Sequence, residues 1–418
     1  MTTLPTRAHG MSPPVVVSLL TLLLAIQPVA TDLYLPALPT LQRGLGTGVA
    51  GAQLTLSALI ICFGLAQLVA GPLADRFGRR PVLLWGMAAF TTASLASAVA
   101  PSIEALIGFR ALQGAAMAAA VTCARSMVRD LYAPHDGARM MSRALTGLGL
   151  FAMASPIAGG LLVQALGWRA TLLATAIYGA ATLALVAWKG EETVPARNPA
   201  ATQWRPLLRN WRQIAAHRTF RAWAALLCCT YGGLFMFLAG SAPVLIDLMG
   251  NSRVAYGAML ATSSAAYIAG TFWCRWLLRR YGLRGAVQRA AWCSLAGGAS
   301  MAALSLAGVQ AVWAILVPQA LYAMGHGVHQ PCGQAGAVGP FPEKAGTAAS
   351  LTGFLMMLVA FAAGLWLGSR LGSSALPMTG AIGAFSIALA LTAWTLVRRD
   401  GEAAPRAAAT AAQPAGTA

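Results

Sequence analysis

Two ionisable side chains stand inside long apolar runs of this sequence. Asp32 lies in Ala30-Thr31-Asp32-Leu33-Tyr34-Leu35-Pro36, and Arg110 in Leu106-Ile107-Gly108-Phe109-Arg110-Ala111-Leu112-Gln113-Gly114. A charge at the centre of a bilayer costs at least about 2.5 kcal/mol, so each is a functional candidate by default. If both runs are helices, Asp32 sits roughly 9 Å and Arg110 roughly 12 Å inside the same end. Facing one cavity, the pair would make a carboxylate whose protonation follows whether the cavity is open, closed or filled; the alternative is a static pair fixing two helices. His326 and His329, just before Pro331, either accept protons near neutral pH or bond backbone groups freed by the proline. Tyr34, Gln113, Tyr231 and Gln319 are further polar groups that can hydrogen-bond a ligand or another helix, with Phe235 and Met236 as an apolar wall or as packing.

No enzyme constellation accompanies them. A nucleotide-binding loop is missing, and the histidines at i, i+3 lack the glutamate of a zinc-hydrolase motif, so neither an ATP-driven pump nor a metal cofactor is expected. Work would have to come from a gradient. One proton entering supplies about 2.3 kcal/mol per 100 mV and about 1.4 kcal/mol per pH unit, enough for a several-hundred-fold gradient of a neutral solute.

The elements that must position these groups are membrane helices. Hydrophobic residues make up 58% of the 418 and charged residues 10%, with a mean hydropathy of +0.66, which no soluble core of this size requires. Apolar runs mark twelve spans, at 14–38, 51–73, 81–100, 102–127, 140–164, 168–188, 221–247, 254–278, 286–307, 310–335, 345–369 and 375–397. The expected fold is therefore all-α and integral to the membrane, with twelve helices in two six-helix bundles. A net charge of +18 could suggest nucleic-acid binding, but 24 of the 29 Lys and Arg residues fall in segments on one side of the spans. Four lie opposite (Arg43, Arg169, Arg253, Arg370) and Arg110 inside, a positive-inside bias that makes both termini cytoplasmic and removes the nucleic-acid reading. The first run is too long for a cleaved signal, and all seven cysteines fall in or beside spans as packing residues.

Gly71-Pro72-Leu73-Ala74-Asp75-Arg76-Phe77-Gly78-Arg79-Arg80-Pro81 reads as a tight cytoplasmic loop between spans 2 and 3. Gly71 would allow close helix approach, Gly78 the reversal, Asp75 a local cap or pair, and Arg76, Arg79 and Arg80 contact with headgroups. Arg76-Phe77-Gly78 recurs as Arg280-Tyr281-Gly282, and Ala144-Leu145-Thr146-Gly147 as Ser350-Leu351-Thr352-Gly353, at nearly equal offsets. Two related bundles with a site at their interface follow. The expected organisation is an N-terminal segment 1–13, a bundle over 14–188, a linker 189–220, a second bundle 221–397 and a disordered tail 398–418. Trp204 to Arg221 in the linker is a basic amphipathic stretch, suited to a membrane-surface helix or to a solvated tether.

The spacing G-x-L-A-D-R-x-G-R-R resembles the signature loop between helices 2 and 3 of the major facilitator superfamily. Leu106, Arg110, Gln113 and Gly114 match the helix 4 pattern of its proton-coupled exporters, where the arginine is implicated in coupling. Pro156-Ile157-Ala158-Gly159-Gly160 looks like the end of the antiporter motif, although Ser142, Phe151 and Ser155 replace the earlier glycines. Together with Thr31 to Pro39 and His326 to Gln334, these narrow the resemblance to the Bcr/CflA group of bicyclomycin- and chloramphenicol-type exporters. The resemblance implies a drug:proton antiporter of the bacterial inner membrane, with no cofactor but the proton; a monomer in contact with membrane lipid is the expected state. Asp32 and Arg110 would couple protons, Tyr34, Gln113, Tyr231, Phe235, Met236, Gln319 and His326 would line the cavity, and the Gly71–Arg80 loop with Pro156, Gly159 and Gly160 would form the gate. Rival readings are a uniporter or importer of a small metabolite and a non-transporting membrane sensor.

Overall fold

A computed structural model describes residues 11–132, 134–194, 196–372 and 374–401. The expectations for residues 1–10, Pro195 and the tail from 402 lie outside the described residues. Long apolar runs must satisfy every backbone group within the segment, and helices do so. Span 1 is Pro13–Thr31 with a continuation Leu38–Gly44, span 2 Val49–Phe77, span 3 Arg79–Ala98, span 4 Ile103–Leu131, span 5 Pro134–Leu166 and span 6 Arg169–Lys189. Spans 7 to 12 are Arg218–Ala242, 253–281, 283–306, Trp313–Val338, Ala345–Arg370 and Leu376–Thr392, spans 8 and 9 forming one run broken at Gly282. Nine helices among the described residues are long and apolar enough to cross a membrane. Spans 8 to 10 complete the twelve but carry more polar side chains, including the arginines around Gly282 and Gln319, His326 and His329.

Two expectations about local structure are corrected. Span 1 does not run unbroken to residue 38: its helix stops at Thr31, and a three-residue 3-10 turn, Leu35–Ala37, precedes Leu38–Gly44. Pro36 explains the stop, because it has no N–H for the Asp32 carbonyl and its ring crowds that position. The 71–81 stretch is hardly a loop. Span 2 continues to Phe77 and span 3 starts at Arg79, leaving the reversal to Gly78 alone, whose φ of +106° is a region closed to most L-residues. Gly282 makes the equivalent turn in the second half with φ +66°, in the repeated Arg-aromatic-Gly motif. A Cβ at Gly71 would only touch Thr122 Cγ2 at an ordinary 3.6 Å, so no close approach there requires glycine.

The halves meet through spans 2 and 11 and through spans 5 and 8. Gly364 leaves room for Ser57, Gly368 for Ala50 and Gly64 for Met357, while Gly257 abuts the Pro156 carbonyl and Gly160 the Arg253 carbonyl. The contacts between spans 5 and 8 lie toward the face opposite Gly78, while those between spans 2 and 11 run on through mid-span to Gly353, which leaves room for Gln67. On the Gly78 face the linker forms a helix, Trp204–Ala216, whose Ile214 is buried among Phe220, Trp223 and Cys274 of the second half.

Candidate functional site

Between the bundles lies a cavity of about 230 Å³. Gln27, Thr31 and Asp32 of span 1, Pro156 of span 5, Tyr231 and Phe235 of span 7, Ser263, Ser264 and Tyr267 of span 8 and His326 of span 10 line it, with aliphatic side chains filling the rest. Asp32 is the one acid on its wall. Because the helix breaks at this point, Asp32 occupies the C-terminal cap of span 1, its N–H donating to the Pro28 carbonyl at 2.8 Å. Thr31 Oγ1 lies 2.7 Å from Asp32 Oδ1 and 2.9 Å from the Gln27 carbonyl. A hydroxyl has one proton to donate, so it can serve only one of these acceptors at a time.

Other cavity groups are bonded both across the bundle interface and within the second half. Gln27 Nε2 donates to the Tyr231 hydroxyl across the bundle interface at 3.4 Å. Thr230 Oγ1 meets His326 Nδ1 at 2.9 Å, and the His326 ring lies 5.7 Å from that of Tyr267. The apolar wall is aromatic on the span 7 side, with Phe235 and Phe237.

Arg110 does not pair with Asp32. It is fully buried, donating from Nη2 to the Ala30 carbonyl at 2.9 Å and from Nη1 to Gln113 Oε1 at 2.5 Å. Its guanidinium stacks 4.4 Å from the centre of the Tyr34 ring. In the last turn of the helix the Asp32 and Leu33 N–H groups both turn to the Pro28 carbonyl and the Tyr34 N–H to that of Thr31, which leaves the Ala30 carbonyl for a cation that caps the helix and meets the negative end of its dipole. Arg110 thus stabilises the break that presents Asp32 to the cavity. The expectation of one shared cavity assumed an unbroken helix, in which Ala30 would have had its own donor.

Four other expected cavity residues are placed elsewhere. Tyr34 hydrogen-bonds Thr55 at 2.7 Å and Gln113 donates to Ser94 at 2.6 Å, both inside the first bundle. Met236 points into an apolar crevice with Trp366 and Phe385. Gln319 is buried and its amide has no hydrogen-bond partner among the described residues. Tyr231, Phe235 and His326 do line the cavity. Gln27, Ser263 and Ser264 were missed, and isolated polar residues in otherwise apolar stretches of spans 1 and 8 were the available signal.

The expected gate separates into two clusters. At the Gly78 face, Asp75 Oδ1 meets Arg79 Nη2 at 2.6 Å, and Arg79 Nε donates to Asp130 Oδ2 at 3.1 Å. Arg76 Nη1 donates to Thr202 Oγ1 at 2.5 Å and Arg80 Nη2 to the Ala187 carbonyl at 3.0 Å. On the opposite face, a Cβ at Gly159 would overlap the Leu33 carbonyl, and one at Gly160 the Arg253 carbonyl. Pro156, Gly159 and Gly160 therefore seat span 5 against both the break in span 1 and the start of span 8.

Twelve membrane helices in two repeated bundles with a small cavity between them have the architecture of a membrane transporter. The chain belongs to the Major Facilitator Superfamily, whose family model matches residues 20–364. It is 30% identical to "Multidrug resistance protein D" of Escherichia coli K12 over 81% of this chain and 84% of that protein. A "Chloramphenicol resistance protein" of Pseudomonas aeruginosa is 28% identical over 76% of this chain and 74% of its own length, and a "Bicyclomycin resistance protein homolog" of Haemophilus influenzae 24% over 90% and 94%. These are the relatives expected of the Bcr/CflA group, and the protein is a multi-pass protein of the bacterial inner membrane. Among solved structures, the partially occluded inward-open xylose transporter XylE of E. coli superposes with a TM-score of 0.72 at 11% identity, covering 91% of this chain and 97% of that one. The human organic anion transporter MFSD10 gives 0.69 at 18%, with 92% and 100% covered. At these identities the likeness is one of fold.

Proposed function

We propose that this protein exports small, largely apolar drugs or toxic compounds in exchange for protons, by alternating access of its two bundles. The carrying observation is Asp32, a lone carboxylate on the wall of an otherwise neutral, aromatic-rich cavity. The relatives' names as drug, chloramphenicol and bicyclomycin resistance proteins supply the substrate class.

Thr31 gives the proton a way to act. When Asp32 is ionised, the Thr31 hydroxyl donates to it; when Asp32 is protonated, the acid donates to Thr31, whose own proton turns to the Gln27 carbonyl. Protonation thereby rearranges hydrogen bonds at the broken end of span 1, beside Gln27 and its bond to Tyr231. With the Gly78 face in the cytoplasm, drug enters while Asp32 is ionised, and proton binding from the outer side releases it. Pro156, Gly159 and Gly160 close the outer face and the Asp75–Arg79–Asp130 cluster stiffens the inner one. The unit is a monomer of two bundles, 14–188 and 221–397, joined by the linker. Exposed Trp204 and Leu208 beside Arg205, Arg209 and Arg212 suit contact with lipid headgroups.

The test is drug-triggered proton release from energised inside-out vesicles, across a panel from chloramphenicol to bicyclomycin, comparing wild type with Asp32→Asn. Release by wild type alone at equal expression is the expected result. Equal release by both would remove Asp32 from the coupling step, and silence from both would overturn the antiport reading.

A further inference from the structure

Glu192 is a carboxylate held on the Gly78 face by three backbone N–H groups, and it belongs to the linker, not to a span. Its Oε1 accepts the Arg79 N–H at 2.8 Å, the Thr193 N–H at 3.0 Å and the Val194 N–H at 3.1 Å. Arg79 is the first residue of span 3, so Glu192 caps that helix and complements the positive end of its dipole. The fit is close: a Cβ on Gly78 would overlap the Glu192 carboxyl group. Next in sequence, Thr193 is buried and its hydroxyl lies 3.4 Å from Asp130 Oδ2, the carboxylate that also holds Arg79. Farther along, the Asn198 N–H donates to the Asp75 carbonyl at 2.9 Å, and Thr202 accepts from Arg76 at 2.5 Å.

The rest of the linker is seated on the other bundle. Ile214 is buried with Phe220 and Trp223, Gln213 accepts from Lys344 Nζ at 2.9 Å, and the His217 ring packs edge-on to Phe341 at 5.1 Å. From Gly190 to His217 the connection is 28 residues, counting between the end of span 6 at Lys189 and the start of span 7 at Arg218. Fully extended it would reach about 90 Å and would hardly restrain the bundles. Latched through Thr202, and with the helix Trp204–Ala216 seated at its far end by Gln213, Ile214 and His217, it leaves Gln203, in extended backbone between a 3-10 turn and that helix, as the joint.

We propose that the linker is a two-part strap: Glu192 latches its first part to the N-terminus of span 3, its second part rides on the C-terminal bundle, and the rocking of the bundles is hinged at Gln203. The strap lies on the Gly78 face, and its latch is one run of contacts from Glu192 through Asn198 to Thr202, so loosening that run at Glu192 weakens its hold on the first bundle and lets that face open too far. The protein then spends longer in the inward-open state and returns more slowly. Glu192 is a positioning residue, acting through the Arg79 cluster and never touching substrate. The idea rests on the alternating-access reading given above but does not depend on which group carries the proton.

The experiment compares wild type, Glu192→Ala and Glu192→Gln in reconstituted full-length protein. Spin labels carried by unnatural residues at exposed positions 136 and 279 report the separation of the bundles on the Gly78 face, with neither drug nor gradient present. Chloramphenicol-driven proton flux reports turnover and KM. Glu192→Ala is expected to lengthen and broaden the label distances and to slow turnover about three- to tenfold with KM within about twofold. Glu192→Gln, which keeps the accepting oxygen but not the charge, should fall between. A purely structural role would lower stability and active fraction while leaving distances and per-molecule turnover alone. Thr202→Val, which removes only the surface bond to Arg76, should move the distances the same way by less, and provides the test if Glu192→Ala does not fold. Unchanged distances in either variant overturn the strap, whereas loss of flux in Asp32→Asn with normal distances bears only on proton coupling.

Discussion

Arg110 offers a quantitative choice between two electrostatic roles. If it were the counter-ion of Asp32, removing it would leave a buried charge unpaired at about 3–5 kcal/mol, and neutralising Asp32 as well would recover most of that. The structure instead gives it the Ala30 carbonyl at 2.9 Å, Gln113 Oε1 at 2.5 Å and the face of Tyr34 at 4.4 Å. Arg110→Met would then orphan a helix-terminal carbonyl and an amide oxygen. At roughly 1.5–3 kcal/mol for hydrogen bonds involving a charged group, the expected loss of stability is about 2–4 kcal/mol once relaxation is allowed for. The loss should be nearly the same with Asp32 or with Asn at position 32, because the cap does not involve that side chain. A double-mutant cycle of Arg110→Met and Asp32→Asn, read by equilibrium unfolding in mixed micelles, should give a coupling within about 0.5 kcal/mol of zero. A coupling above about 1.5 kcal/mol, with Asp32→Asn restoring the arginine variant, would refute the capping argument.

Further outcomes follow from single contacts. Gly78→Ala places a side chain at φ +106° against Glu192 and should cost about 1–3 kcal/mol, seen as a lower melting temperature of purified protein. Gly159→Val drives side-chain atoms into the Leu33 carbonyl; closure of the outer face should fail, so flux should fall at least about tenfold while drug binding survives from the inner side. Thr31→Val removes the hydroxyl that Asp32 and Gln27 share and should uncouple flux from protons, whereas Thr31→Ser should restore coupling; full coupling in the valine variant would remove Thr31 from the mechanism. Asp75→Asn weakens the hold on Arg79, made at 2.6 Å, and should slow cycling without abolishing drug binding; normal flux at full expression would contradict it.

Much of this protein is legible in its sequence because a bilayer leaves few choices. Runs of about 20 apolar residues must be helices, so nine spans follow from hydropathy alone and the more polar spans 8 to 10 from their place in the repeat, and the two Arg-aromatic-Gly motifs mark equivalent turns because glycine tolerates their backbone. Asp32 could be singled out because a carboxylate in an apolar run is costly wherever the chain folds. What only tertiary structure decided was the partner of each polar group. Pro36 signals a break, but not that the freed carbonyl at Ala30 would be taken by an arginine on span 4. Tyr34 and Gln113 have the same composition-level credentials as Tyr231, yet helix rotation turns the first two into the bundle and the third onto the cavity. Glu192 looks like solvated linker in sequence, and becomes a helix cap only because spans 3, 4 and 6 bring Arg79 and Asp130 beside it. Hydrophobicity depends on local composition and is read one segment at a time. Hydrogen-bond pairing depends on angle and distance to a few ångströms, set by the packing of segments far apart in the chain.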